Sequence, residues 1–102
     1  MNVKIQSLHF TINDGLNDFA IEKVEKLSHF YDRIEAANIC LKLEKSDITA
    51  NKVCEIRLAV PGNDLFATSQ CTTFEEAVNE TIEALQKQIR KLKTKFEKRH
   101  SA

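Results

Sequence analysis

Residues 74–99 are predicted to form one long amphipathic helix, and this segment constrains the fold more than any other. Its large apolar side chains recur at steps of three and four residues, which places them in a single stripe at about 100° per residue. They are Phe74, Val78, Ile82, Leu85, Ile89, Leu92 and Phe96. In water such a stripe must be covered by another apolar surface. The rest of the chain therefore has to supply a broad one.

The same segment separates charge along the chain. Residues 87–102 hold seven Lys or Arg against one acid, a net charge of +6, whereas residues 1–86 hold eight against fourteen, a net charge of −6. Acids at the start of a helix and bases at its end complement the helix dipole by about 0.3–1 kcal/mol each. That effect accounts for two or three charges but not for six excess cations. The pattern indicates an anionic partner such as a phosphate backbone, with a solvated lysine-rich helix as the alternative.

Length and composition indicate one domain, residues 1–102, with a modest core. No segment is apolar for long enough to cross a membrane, and the first residues lack the apolar core of a secretory signal, so we expect a cytoplasmic protein with no membrane partner. The three cysteines, Cys40, Cys54 and Cys71, have no metal-binding spacing and are expected to be small buried hydrophobic residues. No catalytic, phosphate-binding or zinc motif is present, so we expect no enzyme activity, cofactor, metal or small-molecule substrate.

Alternating apolar residues predict four strands, and capping residues delimit two helices. Asn13 is a preferred helix N-cap, Thr73 and Glu76 form a capping box, and the turn residues 61–64 join two strands in a hairpin. Strands are predicted over about 2–10, 39–43, 54–60 and 65–71, with helices over about 14–31 and 74–99. The order β-α-β-β-β-α predicts an α+β fold, a four-stranded sheet with both helices packed on one face, similar to double-stranded-RNA-binding domains.

Two helices on one face of a sheet would lie side by side and bring their exposed cations together. In the first helix Lys23 projects into the apolar stripe and Lys26 stands beside it, although Lys23 is also placed to reach solvent along its aliphatic stem. The predicted RNA-binding residues are Lys23, Lys26, Lys87, Arg90, Lys91, Lys93, Lys95 and Lys98.

Several stretches resemble the family of ribosome hibernation promoting factors and ribosome-associated inhibitors. They are NDGLNDFAIEKVEKLSHFYDRI at 13–34, VPGNDLFA at 60–67, FEEAV at 74–78 and LQKQIRKLKTK at 85–95. The resemblance implies a domain that binds the small ribosomal subunit and its ribosomal RNA in the channel for messenger RNA and transfer RNA. It also implies that this binding silences translation under stress or in stationary phase. The lysines and arginine of both helices, from Lys23 to Lys95, match basic RNA-facing positions of the family.

The chain departs from the family pattern at three places. Ser7-Leu8-His9 stands where many members have Gly-Arg-His or Gly-Asn, which removes the basis for an RNA contact at that turn. Asn63 replaces the second glycine of the hairpin and is tolerated if it adopts a left-handed φ. The sequence ends at Ala102, which indicates the short form of the family, and we expect the free protein to be a monomer.

Two other functions fit the same charge pattern. One is a binder of structured RNA that acts without the ribosome, and the other is a protein-interaction module whose basic helix docks an acidic partner. A steep loss of affinity with salt distinguishes phosphate binding from docking through an apolar anchor.

Overall fold

The computed structural model describes residues 1–44 and 49–100, the side chains of 95–100 excepted. Its elements follow the predicted order and confirm the α+β class. They are β1 (Asn2–Leu8), α1 (Asp14–Phe30), β2 (Ala36–Leu43), β3 (Lys52–Val60), β4 (Asn63–Cys71) and α2 (Phe74–His100).

The four strands form one mixed sheet in the order β1-β2-β3-β4. β1 runs parallel to β2, and the remaining pairs are antiparallel. Parallel neighbours need a long crossover, and α1 supplies it. Alternate residues of β2 and β3, such as Ile39, Ile56 and Leu58, are buried against the helices. The residues between them lie on the opposite face of the sheet, which no described element covers.

Both helices run in the same direction across the sheet. At one end the ring of Phe10, just before α1, stacks on Phe74, the first residue of α2, with ring centroids 4.4 Å apart. At the other end Phe30, the last residue of α1, contacts Arg90 and Lys93 of α2. The acidic starts of the two helices therefore share one end of the molecule, and their basic ends share the other.

The predicted helix caps are confirmed. The Asn13 Oδ1 accepts a hydrogen bond from the Leu16 backbone N–H at 2.7 Å, and the Thr73 Oγ1 accepts one from the Glu76 N–H at 3.1 Å. The Glu76 carboxylate in turn accepts bonds from the Thr72 and Thr73 hydroxyls. These bonds satisfy N–H groups that have no partner within the helix.

All four strands differ from their predicted bounds: β2 begins at Ala36 and β3 at Lys52, both earlier than predicted, and backbone geometry sets the end of β1 and the start of β4. β1 ends at Leu8 because His9 has a φ of 68°, in the left-handed region. β4 begins at Asn63, which pairs with Val60, so the hairpin loop is Pro61-Gly62 alone. Gly62 takes the positive φ of 85° that this tight turn requires. The expectation that Asn63 is left-handed is therefore wrong.

The core lies between the helices and the sheet. It contains the predicted stripe of α2 from Val78 to Ile89, together with Ala77 and Thr81, which the stripe did not include. Cys54 and Cys71 are buried and Cys40 is half-buried, all as free thiols, which confirms their role as small hydrophobic residues. Phe96 belongs to the predicted stripe, but its side chain lies outside the described residues.

Candidate nucleic-acid interface

Arg90 and Lys93 of α2 are held against the C-terminal end of α1. The Arg90 guanidinium carbon lies 5.6 Å from the centroid of the Phe30 ring, and the Lys93 Nζ lies 5.0 Å from it. The Lys93 Nζ also donates a hydrogen bond to the Phe30 carbonyl oxygen at 3.1 Å. The last carbonyls of a helix have no partner within it and favour a nearby cation. Two predicted site residues are thus brought to α1 by direct contact.

Lys23 and Lys26 lie on the flank of α1 that carries Phe30. Residues three, four and seven apart share one side of a helix, so both lysines are on the side that faces α2. The Lys23 Nζ is 5.4 Å from the centroid of the Phe19 ring, which agrees with a stem lying along its own helix. The Lys26 Nζ is 3.9 Å from a Glu22 carboxylate oxygen, and both side chains are well exposed. Such a surface ion pair is weak, so Lys26 is available to an anion that binds it more strongly than Glu22 does.

Lys87 and Lys91 are exposed on the outer surface of α2. At about 100° per residue, Lys87 lies about 60° around the helix from Arg90, and Lys91 lies about 100° from Arg90, both on the side away from Lys93. Within the described part of the chain neither lysine has a carboxylate within ion-pair distance. Lys95 and Lys98 continue this surface in the sequence, but their side chains are outside the described residues.

These cations form a surface strip and not a pocket. The strip consists of Lys23 and Lys26 of α1 and Lys87, Arg90, Lys91 and Lys93 of α2. It runs around the second half of α2 and continues onto the adjacent flank of α1, and no acidic residue occurs between Glu83 and Glu97. Apart from Glu97, the acidic residues of α2 lie in its first ten residues, at the other end of the molecule. An arrangement of this kind can attract and orient a polyanion along the helix pair. Among the described residues, no three His, Cys, Asp or Glu side chains come together as a metal site.

Sequence reasoning identifies these cations and, of a second group on the uncovered face of the sheet, only Phe66, which it predicts either to stack on a base or to pack against a neighbouring strand. Alternation along β4 predicts Phe66 on that face, and its exposure in the structure confirms this. Lys4 and Arg57 lie in the same row of the sheet as Phe66. No local signal identifies Lys4 and Arg57, because all four strands must pair in register before these side chains share a row with Phe66.

The fold is that of known ribosomal subunit interface proteins. A solved structure titled as a ribosomal subunit interface protein from Coxiella burnetii matches with a TM-score of 0.82 and 18% sequence identity, covering 92% of this chain and 99% of that chain. The N-terminal domain of Protein Y from Thermus thermophilus matches with a TM-score of 0.76 and 19% identity, over 90% of this chain and 99% of that chain. At these identities the likeness establishes the fold alone.

The chain belongs to the family described as Sigma 54 modulation protein / S30EA ribosomal protein, which it matches over residues 3–97. The ribosome hibernation promoting factor of Klebsiella oxytoca is 29% identical over 96 residues, 94% of this chain and 97% of that protein. The factor of the same name from Escherichia coli K12 is 28% identical over the same shares of the two chains. The resemblance inferred from the sequence is thereby confirmed.

No helix in the described ranges is both long and apolar enough to span a lipid bilayer.

Proposed function

We propose that this protein is a single-domain ribosome hibernation factor that acts in the cytoplasm. It binds ribosomal RNA of the small subunit in the channel for messenger RNA and transfer RNA, and it inhibits translation under stress or in stationary phase. The observation that carries the proposal is the strip of exposed cations on α2 and the flank of α1. It occurs in a chain whose relatives are named ribosome hibernation promoting factor.

The physical argument rests on how folded RNA is bound. Ribosomal RNA presents phosphates at positions set by its tertiary structure, and contacts to phosphates fix orientation without reading sequence. Two helices packed on a sheet hold Lys23, Lys26, Arg90 and Lys91 in a fixed arrangement, so little conformational freedom is lost when they bind. Occupying the channel is enough to exclude messenger and transfer RNA. The function therefore needs no enzyme chemistry, cofactor or small-molecule substrate.

The predicted residues have different roles in this proposal. Lys87, Arg90 and Lys91 are the principal phosphate contacts, because they are exposed and adjacent on α2. Lys23 and Lys26 extend the contact from α1, and Lys95 and Lys98 extend it along α2. Lys93 contributes charge but also holds the end of α1.

The test is co-sedimentation of the purified protein with small subunits and with whole ribosomes over a salt series. The informative variant is K87Q/R90Q/K91Q. A matched control, N2D/T11E/N79D, changes the net charge by the same amount at exposed positions that do not belong to the strip. We expect the unmodified protein and the control to sediment with small subunits at physiological salt. The strip variant should bind at least ten-fold more weakly, and the slope of log K against log salt should fall by about 0.7–0.9 for each phosphate that it no longer neutralises.

Three results would contradict the proposal. They are failure of the unmodified protein to sediment with ribosomes at physiological salt, equally weakened binding by the strip variant and the control, and binding that messenger and transfer RNA do not displace. Equally tight binding to free duplex RNA would favour the ribosome-independent function instead. Circular dichroism of each variant verifies that the fold is intact.

A further inference from the structure

The face of the sheet opposite the helices carries a shallow groove of about 680 Å³. Strand register places four of its lining residues in one row across the whole sheet: Lys4 beside Asn38, Asn38 beside Arg57, and Arg57 beside Phe66. Gln6 and Glu55 line the groove from the next row. The row thus combines an aromatic ring, two cations and an amide on a rigid surface.

Phe66 is an exposed aromatic residue in the wall of this groove. Phe66 is 42% exposed, whereas the next residue of β4, Ala67, is buried in the core on the opposite face. The Arg57 guanidinium carbon lies over the ring, 5.2 Å from its centroid, so ring and guanidinium form a stacked cation–π pair, which we call the platform. The Gln88 side chain of α2 donates to the Phe66 carbonyl oxygen at 2.8 Å and fixes the backbone there. Both aromatic rings and guanidinium planes stack on unpaired bases.

The charge available in the groove is positive. Glu55 is the acidic residue in the groove lining. The Glu55 carboxylate lies 3.2 Å from the Lys42 ammonium, which neutralises its charge. Arg57 and Asp64 approach only to 3.9 Å with both side chains half exposed, which is a weak pairing. Lys4 has no carboxylate within ion-pair distance among the residues that the structure describes. Arg57 is therefore available to an anion beside the ring, and Lys4 to an anion at the β1 side of the groove, three strand spacings from Phe66.

We propose that this groove binds single-stranded RNA. An unpaired base stacks on the platform of Phe66 and Arg57, the RNA strand crosses the sheet past the Asn38 amide, and a phosphate further along it binds Lys4 beside the Gln6 amide. Duplex RNA does not fit this role, because its bases are stacked within the helix and expose no face to the ring. The inference goes beyond the proposed function, since it uses the face of the sheet away from the cationic strip.

The probe is fluorescein-labelled octauridine, with binding measured by fluorescence anisotropy at physiological salt. Binding is measured in the unmodified protein and in K87Q/R90Q/K91Q, and the groove substitutions are compared in K87Q/R90Q/K91Q, in which phosphate binding on α2 is weakened. Phe66→Leu keeps an apolar side chain and removes the ring, and it should weaken binding roughly five-fold to a hundred-fold. Phe66→Tyr should restore binding. Lys4→Gln should lower the slope of log K against log salt by about 0.7.

Leu8→Ala is the matched control. Leu8 is a comparably exposed apolar residue, at 39%, on the same face of the sheet but outside the groove, and its replacement should leave affinity unchanged. In the unmodified protein, octauridine should also shift the amide resonances of Arg57 and Phe66. That measurement is independent of the folding of any variant.

The inference is overturned if octauridine does not bind at physiological salt, if Phe66→Leu binds as tightly as its parent, or if the Arg57 and Phe66 resonances do not move. Loss of binding on mutation of the strip alone would assign the RNA to α2 instead. Ribosome co-sedimentation is a separate readout, so failure of one proposal is distinguishable from failure of the other.

Discussion

Cys54 lies fully buried in β3, and its backbone carbonyl faces the hydroxyl of Thr81 in α2. The Thr81 Oγ1 donates to the Ala77 carbonyl oxygen at 2.7 Å and lies 3.4 Å from the Cys54 carbonyl oxygen, so this buried hydroxyl has a partner. Burial raises the pKa of the Cys54 thiol to about 12. Burial, with the Glu80 carboxylate as a second cause, raises the pKa of Cys71 to about 11. Both thiols therefore stay protonated at neutral pH and are poor nucleophiles and metal ligands.

The raised pKa of Cys54 predicts a loss of stability at alkaline pH. An unfolded cysteine has the ordinary pKa of 9.0. Above that pH the unfolded chain releases a proton that the folded chain keeps, so the free energy of unfolding falls by up to about 1.4 kcal/mol per pH unit between about pH 9 and the folded pKa. Urea unfolding at several pH values should show that the free energy of unfolding falls in this way above pH 9, and that the fall is absent below pH 9. Cys54→Ala should remove the contribution of Cys54 and leave that of Cys71, whose pKa is also raised, whereas the control Cys40→Ala should keep both. An unchanged slope in Cys54→Ala would contradict the assignment.

At the scale of elements, the helix pair is joined at both ends. The Phe10–Phe74 stack joins the two starts, and the hydrogen bond from Lys93 to the Phe30 carbonyl joins the end of α1 to α2. A lysine that caps a neighbouring helix is held in place, which also fixes the spacing between the cations of the two helices. Lys93 therefore positions the end of α1 and also supplies a positive charge.

Lys93→Met should destabilise the fold and Lys91→Met should not. The first change removes a hydrogen bond to a helix end and a cation near Phe30, at a cost of about 0.5–1.5 kcal/mol. Lys91 has no described contact to α1, so its replacement should stay within about 0.5 kcal/mol of the unmodified protein. Both variants lose one positive charge from α2, which makes them a matched pair. Equal stabilities in urea would show that the contact to Phe30 contributes nothing.

At the scale of the molecule, parallel helices sort the charge. Because both helices start at the same end, Asp14 of α1 lies at the end of the molecule that holds Glu75 and Glu76 of α2. The cations collect at the opposite end. Each helix dipole is complemented, and the molecule as a whole has one end that repels phosphate and one that attracts it. Such a charge distribution orients the basic end toward a polyanionic surface.

A single core under both helices predicts that residues 1–102 behave as one domain. Urea unfolding followed by Tyr31 fluorescence and by far-ultraviolet circular dichroism should give coincident transitions, since Tyr31 packs against the common core. Sedimentation equilibrium should give the mass of a monomer, 11.7 kDa. Two separate transitions would indicate more than one folding unit. A mass near twice this value would contradict the monomer.

Much of the fold could be predicted because its signals are local. The caps at Asn13 and Thr73 act within one turn of helix, and the stripe of α2 follows from spacing along the chain. The cations of α2 could be identified for the same reason, since they are close in sequence. The last residue of β1 and the first residue of β4 differ from the prediction. Both depend on single backbone angles, at His9 and Gly62, that composition does not specify.

By itself, the sequence determined the order of the elements, the apolar faces and the separation of charge, because each depends on residues only a few positions apart. Only the tertiary structure decided that the helices are parallel and that Lys93 reaches Phe30. It also decided that Lys4, Arg57 and Phe66 share one row. These pairings join residues far apart in the chain, and shifting a strand by one residue would turn its side chains to the other face. Their physical cause is burial of the helix stripes on one face of the sheet, which selects a single register.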